Sequence, residues 1–199
     1  EKIMAWLADG HTARSLEYTD EDRELMSDLD LLTLKPVIYA ANVDESHANG
    51  DMSDNELYSK LEAAAKAEGA EIIPVCAGIE AEISELDPSE KAEFLADMGI
   101  EESGLSKLIR ASYSLLGLIS YLTAGPKEVR AWTITKGTRA PQAAGKIHSD
   151  FEKGFIRAEC IDWETLLEIG SYVKAKELGK VRSEGKDYVM NDGDVVLFR

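Results

Sequence analysis

At 199 residues the chain is long enough for one or two domains, each with its own hydrophobic core. Its formal net charge of −16 excludes a protein that coats nucleic acid non-specifically. Residues 1–118 carry 9 basic and 26 acidic side chains, whereas residues 119–199 carry 13 and 12. This asymmetry predicts two modules with different partners.

Cysteine content and hydropathy indicate the compartment. Cys76 and Cys160 are isolated and lack metal-ligand spacing, which predicts reduced thiols in a cytoplasmic protein. No signal peptide and no apolar run of membrane-spanning length is present, so we expect no membrane partner. Both ends interrupt regular patterns, a helix at Glu1 and a strand at Arg199. We therefore expect a fragment of a longer chain.

The first predicted elements are helical. Residues 1–15 carry apolar side chains at helical spacing, and Gly10 ends that pattern. Thr19 is a predicted N-cap of a second helix, with Glu21 and Asp22 in its first turn.

The segment LKPVIYAANVDE, residues 34–45, predicts a buried strand that ends abruptly. Residues 37–41 are apolar without alternation, as in a strand covered on both faces of a parallel sheet. Ligands of such sheets bind beyond the carboxyl ends of the strands, where Asn42, Val43, Asp44 and Glu45 lie. For an isolated Asn-x-x-Glu, a polar exit from a strand is the simpler interpretation.

The functional interpretation of the same residues is recognition of a nucleotide base. P-loop GTPases carry Asn-Lys-x-Asp at this place, where the Asp binds guanine. Here Val43 stands at the Lys position and Glu45 at the Asp position. A side-chain amide can pair with the N7 acceptor and the N6 donor of adenine. Asn42 with Glu45 therefore favours adenine over guanine.

A second strand is predicted to bring another loop to the same edge. Ser53 to Glu56 resembles a capping box that starts a helix, and residues 70–75 form an apolar strand. The resulting strand–helix–strand unit places both strand exits together. The second exit is Cys76-Ala77-Gly78, whose small residues allow a close approach of backbone to ligand. His47, in the first loop, is expected to be solvated.

Two further helices are predicted before a domain boundary. Asp87 to Glu90 is a predicted helix start with Pro88 at its first position. Ser103 opens an apolar stripe that runs to Ile119 and predicts packing against the sheet. A domain boundary is expected near residues 121–127, at Gly125-Pro126.

The last part of the chain predicts a small mixed sheet crossed by a helix, as in the ubiquitin-like β-grasp. Predicted strands are residues 129–134, 155–161, 188–190 and 195–198, with a turn at residues 191–193. One helix begins at Asp162, with Leu166, Leu167 and Ile169 directed inward.

Several of these segments together resemble one family. LKPVIYAANVDE, IIPVCAGIEAEI, TAGPKEVRAWTI, APQAAGKIHSDFEKGFIRAE and GKDYVMNDGDVVLF resemble the YchF family of Obg-like ATPases over nearly the whole chain. The resemblance implies an α/β fold: the C-terminal part of a P-loop GTPase-like parallel sheet, then a β-grasp TGS domain. It implies that residues 1–31 end a helical insert, residues 32–118 form the second half of a nucleotide-binding domain, and residues 119–199 form the TGS domain. It also implies translational and oxidative-stress roles.

The same resemblance implies which residues bind the nucleotide. Asn42, Val43 and Glu45 match the base-recognition motif, and Cys76-Ala77-Gly78 occupies the place of the second base-contacting loop, Ser-Ala-Lys in ordinary GTPases. The implied cofactors are ATP, preferred over GTP, and Mg²⁺. The Gly-x-x-x-x-Gly-Lys-Ser/Thr loop has no match, so we expect the Mg²⁺ ligands and the catalytic groups to lie outside this sequence and the chain alone to be inactive.

A basic cluster in the second module allows two interpretations. Its members are Lys174, Lys176, Lys180, Arg182 and Lys186. A solvated face interleaved with Glu177 and Glu184 is the simpler one. The alternative is contact with ribosomal RNA phosphates, in keeping with the ribosome association that the family resemblance implies. The sequence thus predicts part of a ribosome-associated ATPase. The alternative is a binding module in which the TGS domain binds a ribosome or a protein and the nucleotide acts as the switch. No DNA partner is expected.

Overall fold

The computed structural model describes residues 2–26, 28–125 and 128–199. They divide into two compact units, Glu1–Ser112 and Tyr113–Arg199. Predictions for Glu1, Pro126 and Lys127 lie outside the described residues. The boundaries predicted at residues 31 and 118 stay predictions.

The first unit combines helices with a parallel pair of strands. Its helices are α1 (Lys2–Ala8), α2 (Asp20–Met26), α3 (Glu56–Ala67), α4 (Ala77–Ser84), α5 (Pro88–Asp97) and α6 (Gly104–Leu115), the last of which runs past the division between the units. Short 3-10 turns span Ala13–Ser15, Leu32–Leu34 and Glu45–His47. Strands β1 (Ile38–Asn42) and β2 (Glu71–Val75) pair in parallel around α3, which confirms the predicted strand–helix–strand unit.

Side chains cap the N-termini of the helices as predicted, with one exception. Thr19 and Asp22 exchange hydrogen bonds at the start of α2, and Asp87 forms a capping box at the start of α5. The box predicted at Ser53 is wrong. Helix α3 begins at Glu56, and Asn55 is its N-cap, accepting from the Tyr58 N–H.

The apolar segments of the first unit are less buried than their sequence predicts. Ala41 is buried, but Ala40 in the middle of β1 is exposed, so this strand is not covered on both faces in the described chain. The stripe of α6 also departs from the prediction. Leu105 and Ile109 are 56% and 51% exposed, and the helix ends at Leu115 rather than continuing to Ile119.

The second unit is a five-stranded mixed sheet with helices packed on it. The strands are β3 (Leu118–Ala124), β4 (Val129–Thr135), β5 (Ala158–Asp162), β6 (Arg182–Glu184) and β7 (Asp194–Phe198), and the helices are α7 (Ala140–Ile147), α8 (Ser149–Lys153), α9 (Trp163–Ile169) and α10 (Tyr172–Glu177). Their spatial order is β4-β3-β7-β5-β6, with β7 parallel to β3 and the other pairs antiparallel. A hairpin, a crossing helix and a parallel central strand are the features of the predicted β-grasp.

The core of this unit lies between the sheet and α7. Tyr121 is fully buried at its centre, stacks on Trp132 and donates from its hydroxyl to the Ala143 carbonyl at 2.8 Å. Three buried alanines on α7 allow the helix to approach the strands closely: Ala140, Ala143 and Ala144. Burial raises the pKa of the Tyr121 hydroxyl, which stays a neutral donor.

Several predictions for this unit were wrong in detail. The strand β3 occupies residues predicted as helix and linker, because its apolar run directly follows the similar run of α6. The described residues of this unit form four helices, where the sequence predicted one, and Asp162 does cap α9 by accepting from the Thr165 N–H. Leu167 is 70% exposed rather than inward. Residues 188–190 form only an isolated bridge between Val189 and Arg139.

In the part of the chain that the structure describes, no helix has both the length and the apolar character needed to cross a membrane.

Candidate functional site

The carboxyl ends of β1 and β2 lie side by side, as the sequence predicts. Asn42 is in register with Val75, and the Val43 N–H donates to the Val75 carbonyl at 3.0 Å. The two exits, residues 42–45 and 76–78, therefore form one edge. We call this edge the strand-end site.

A side-chain hydrogen bond ties the two exits together. The Asn42 Oδ1 accepts from the Ala77 N–H at 3.1 Å. This contact fixes the orientation of the amide, so its Nδ2 group points away from Ala77. Among the described residues Nδ2 has no hydrogen-bond partner, which leaves its two donors for a ligand.

The carboxylate of Glu45 is the second free polar group at this edge. Glu45 begins the 3-10 turn Glu45–His47 and is exposed. A Cβ built on Gly78 would lie 3.9 Å from its Oε1 atom. No hydrogen bond to this carboxylate is formed within the described residues. Gly78 thus lies beside a carboxylate that, among the described residues, is free to accept hydrogen bonds.

Two of the predicted site residues direct their side chains into the core. Cys76 is 8% exposed and packs with Ile79, Ile83 and Ile100, and Val43 packs against the same cluster. Their side chains therefore hold the two exits in place. The exposed residues of the second exit are Ala77 and Gly78, which offer backbone groups at the start of α4.

His47 is not the solvated loop residue that the sequence predicts. Its Nδ1 lies 2.6 Å from Asp44 Oδ1, its Nε2 lies 2.9 Å from Asp54 Oδ1, and its side chain is only 15% exposed. Hydrogen bonds that the ring donates to Asp44 and Asp54 raise the pKa of the imidazole above its ordinary value of 6.5. An acidic residue three positions before a histidine is the signal in the sequence that could have indicated this pairing.

The basic cluster of the second unit separates into two groups. Arg182 donates to buried Asp194 at 3.1 Å and to Tyr188 at 2.8 Å, and Lys176 donates to buried Glu159 at 3.0 Å. Lys176 thereby holds the pKa of Glu159 below its ordinary range. The remaining members, Lys174, Lys180 and Lys186, are exposed and form no ion pair with any described residue.

Metal ligands do not gather anywhere in the described ranges. No group of three or more His, Cys, Asp or Glu side chains there has the arrangement of a metal site. We therefore assign no Mg²⁺ ligand among the described residues.

Comparisons with known proteins support the resemblance seen in the sequence. A family model named YchF-GTPase_C, described as a protein of unknown function (DUF933), matches residues 118–199. A protein of Bacillus subtilis (strain 168) named ribosome-binding ATPase YchF is 57% identical over 187 residues, 94% of this chain and 51% of that protein. A Haemophilus influenzae protein of the same name is 50% identical over 100% of this chain and 54% of its own length.

A solved structure agrees with these relatives. The Schizosaccharomyces pombe YchF GTPase superposes with a TM-score of 0.85 and is 33% identical, over 100% of this chain and 52% of that one. The chain belongs to the YchF family. A GTP-binding protein of Pyrococcus horikoshii OT3, 22% identical with a TM-score of 0.56, shares the fold over 98% of this chain and 55% of its own.

The chain spans about half the length of the curated YchF relatives it matches. The names of these relatives also differ in the nucleotide: the bacterial proteins are named ATPases and the Schizosaccharomyces pombe protein a GTPase. The base preference of this chain therefore has to be inferred from the residues of the strand-end site.

Proposed function

We propose that the full-length protein is a ribosome-associated ATPase and that this chain supplies the edge that selects adenine. The observation that carries the proposal is the pair of free polar groups at the strand-end site. The Asn42 Oδ1 accepts from the Ala77 N–H, which directs the Nδ2 donors outward, and the Glu45 carboxylate beside Gly78 has no hydrogen-bond partner among the described residues.

These groups match the hydrogen-bonding pattern of adenine. Nδ2 of Asn42 donates to the N7 acceptor, and the Glu45 carboxylate accepts from the exocyclic N6 amino group. Guanine presents its O6 carbonyl in place of that amino group. A carboxylate facing a carbonyl oxygen leaves both acceptors unpaired, so the site discriminates against guanine.

The structure changes how this proposal is best tested. The GTPase-like exchange of Val43 for Lys would put an ammonium group into the cluster of Cys76 and Ile79, at a cost in stability. Glu45 is exposed, so Glu45→Asp alone withdraws the carboxylate by one methylene without disturbing that core.

The experiment measures ATP and GTP affinity of the full-length protein by competition with a fluorescent nucleotide. For Glu45→Asp we expect the ATP-to-GTP affinity ratio to fall about tenfold, the effect of losing one hydrogen bond to a charged group. Glu82→Asp, an exposed acid on α4, is the matched control. An unchanged ratio in Glu45→Asp would overturn the assignment.

We further propose that the second unit contributes to ribosome binding through its exposed lysines. Relatives named ribosome-binding ATPases favour a ribosome partner. Three members of the basic cluster have no ion-pair partner among the described residues: Lys174, Lys180 and Lys186. Phosphate contacts of this kind weaken as salt increases. On this second, binding-module hypothesis the nucleotide acts as the switch.

Charge reversal separates this proposal from a general electrostatic effect. A variant with Glu at those three lysines should co-sediment less with ribosomes and show a shallower salt dependence, with nucleotide affinity unchanged. The matched control reverses three other exposed lysines of the same unit, Lys136, Lys146 and Lys153. Equal losses in both variants would contradict a specific role of the cluster.

A further inference from the structure

The loop between β1 and α3 has an internal clamp whose members come from its two ends. Asp44 follows the end of β1 by two residues, and Asp54 directly precedes Asn55, the N-cap of α3. The imidazole of His47 lies between their carboxylates, at 2.6 Å from Asp44 and 2.9 Å from Asp54. One side chain thus closes the loop formed by residues 44–54.

The geometry of the clamp favours the charged form of the ring. The Ser46 hydroxyl also lies 3.1 Å from Nδ1, next to Asp44 Oδ1. Both ring nitrogens face carboxylate oxygens, and an ionised carboxylate can only accept hydrogen bonds. A neutral imidazole has a single N–H, so it can satisfy one of the two contacts and must turn a lone pair towards the other carboxylate. Both contacts are hydrogen bonds only when the ring is an imidazolium.

The clamp holds the turn that carries Glu45. His47 ends the 3-10 turn that Glu45 begins, and the His47 N–H donates to the Asp44 carbonyl at 3.2 Å. The Ser46 hydroxyl bonds to Asp44 Oδ1 at 2.7 Å, so the residue on each side of Glu45 is anchored. The Glu45 carboxylate itself remains free among the described residues.

We propose that His47, held as an imidazolium between Asp44 and Asp54, is the positioning residue that orients Glu45 for base recognition. This inference rests on the proposed adenine selectivity and adds a regulation to it. Deprotonation of the ring removes one of its two hydrogen bonds, to Asp44 or to Asp54, and the turn then samples orientations in which Glu45 no longer faces the base. Base selectivity is therefore present at low pH and declines as pH rises.

The sign follows from the contacts around the ring. Asp44 and Asp54 bind it directly, and the charge of Asp51 in the same loop also interacts with it. All three are acidic, and they favour the charged imidazole. The clamp is complete below the ordinary histidine pKa and is lost as pH rises through the raised pKa of His47.

The test measures the ATP-to-GTP affinity ratio of the full-length protein at about pH 6 and about pH 9, together with NMR titration of its imidazoles. For the wild type we expect the ratio to fall about two- to fivefold at the higher pH, the size expected for a partly exposed ion pair. His47→Gln should have the low ratio at both values. His47→Arg, which keeps a forked cation between the carboxylates, should keep the high ratio at both.

The control and the contradictory results are distinct for the two proposals. His148→Gln, an exposed histidine of the second unit, should behave as wild type. Wild-type selectivity that depends on Glu45 but not on pH or His47 would overturn the clamp and leave the adenine proposal intact. If Glu45→Asp and His47→Gln both keep the wild-type ATP-to-GTP affinity ratio, the clamp and the adenine proposal are both overturned. An NMR titration that gives His47 an ordinary, unraised pKa would overturn the clamp independently of any nucleotide measurement.

Discussion

Polar side chains are used in opposite ways at the strand-end site and in the second unit. Asp194 is buried and surrounded by donors: Arg182, the Tyr188 hydroxyl and the Asn191 N–H. At the strand-end site the Asn42 Oδ1 accepts from the Ala77 N–H, and no described residue pairs with the Asn42 Nδ2 group or with the Glu45 carboxylate. A charge that the fold satisfies stabilises the fold, whereas a polar group left open at a strand end is available to a ligand.

This difference changes the interpretation of the basic cluster. By sequence alone Arg182 and Lys180 are equivalent candidates for phosphate contact. In the structure Arg182 neutralises a buried carboxylate, and Lys180 has no ion-pair partner among the described residues. Removing the first should damage the unit itself, and removing the second should affect only what binds to it.

The largest expected effect comes from breaking the Arg182–Asp194 pair. Arg182→Glu leaves buried Asp194 without its cation and adds a like charge, which should destabilise the second unit by about 3 kcal/mol. Chemical denaturation followed by circular dichroism measures this loss. Lys180→Glu is the control, and a similar loss in both variants would contradict the division of the cluster.

A smaller effect is expected at the centre of the β-grasp core. Tyr121→Phe removes the buried hydroxyl that donates to the Ala143 carbonyl of α7. We expect a loss of about 1 kcal/mol in the free energy of unfolding. Tyr113→Phe, which removes a more exposed hydroxyl contact to Thr133, should cost less. The reverse order would show that the Tyr121 contact is not part of the core.

The smallest effect is expected at the strand-end site, for the substitution Gly78→Ala. Gly78 has no positive φ, and a Cβ there meets only ordinary contacts, so Gly78→Ala should leave stability unchanged. The added methyl narrows the space beside Glu45 and should weaken ATP binding about threefold, as expected for a mildly hindered contact in a binding site. Thermal unfolding and nucleotide titration of the full-length protein distinguish the two. Lower stability with unchanged ATP affinity would contradict the proposed base position.

Sequence patterns predict correctly that the two strand exits meet, because a local pattern marks the end of each strand. The apolar runs, the small residues at residues 76–78 and the parallel connection together place Asn42 next to Ala77. The strand β3 was missed for a physical reason, since its apolar run continues that of α6 and periodicity alone does not separate them. The partners of Arg182 and His47 were missed because such pairing depends on tertiary contacts and, for His47, on a loop closing on itself.

The most direct test of the adenine proposal compares ATP with 7-deaza-ATP, which lacks the N7 acceptor, on the full-length protein. If the Asn42 Nδ2 donates to N7, the wild type should bind 7-deaza-ATP about fivefold more weakly than ATP, the effect of one hydrogen bond. Asn42→Ala, which has no donor to lose, should bind the two nucleotides equally. An equal preference for ATP in both proteins, or no preference in the wild type, would contradict base recognition by Asn42.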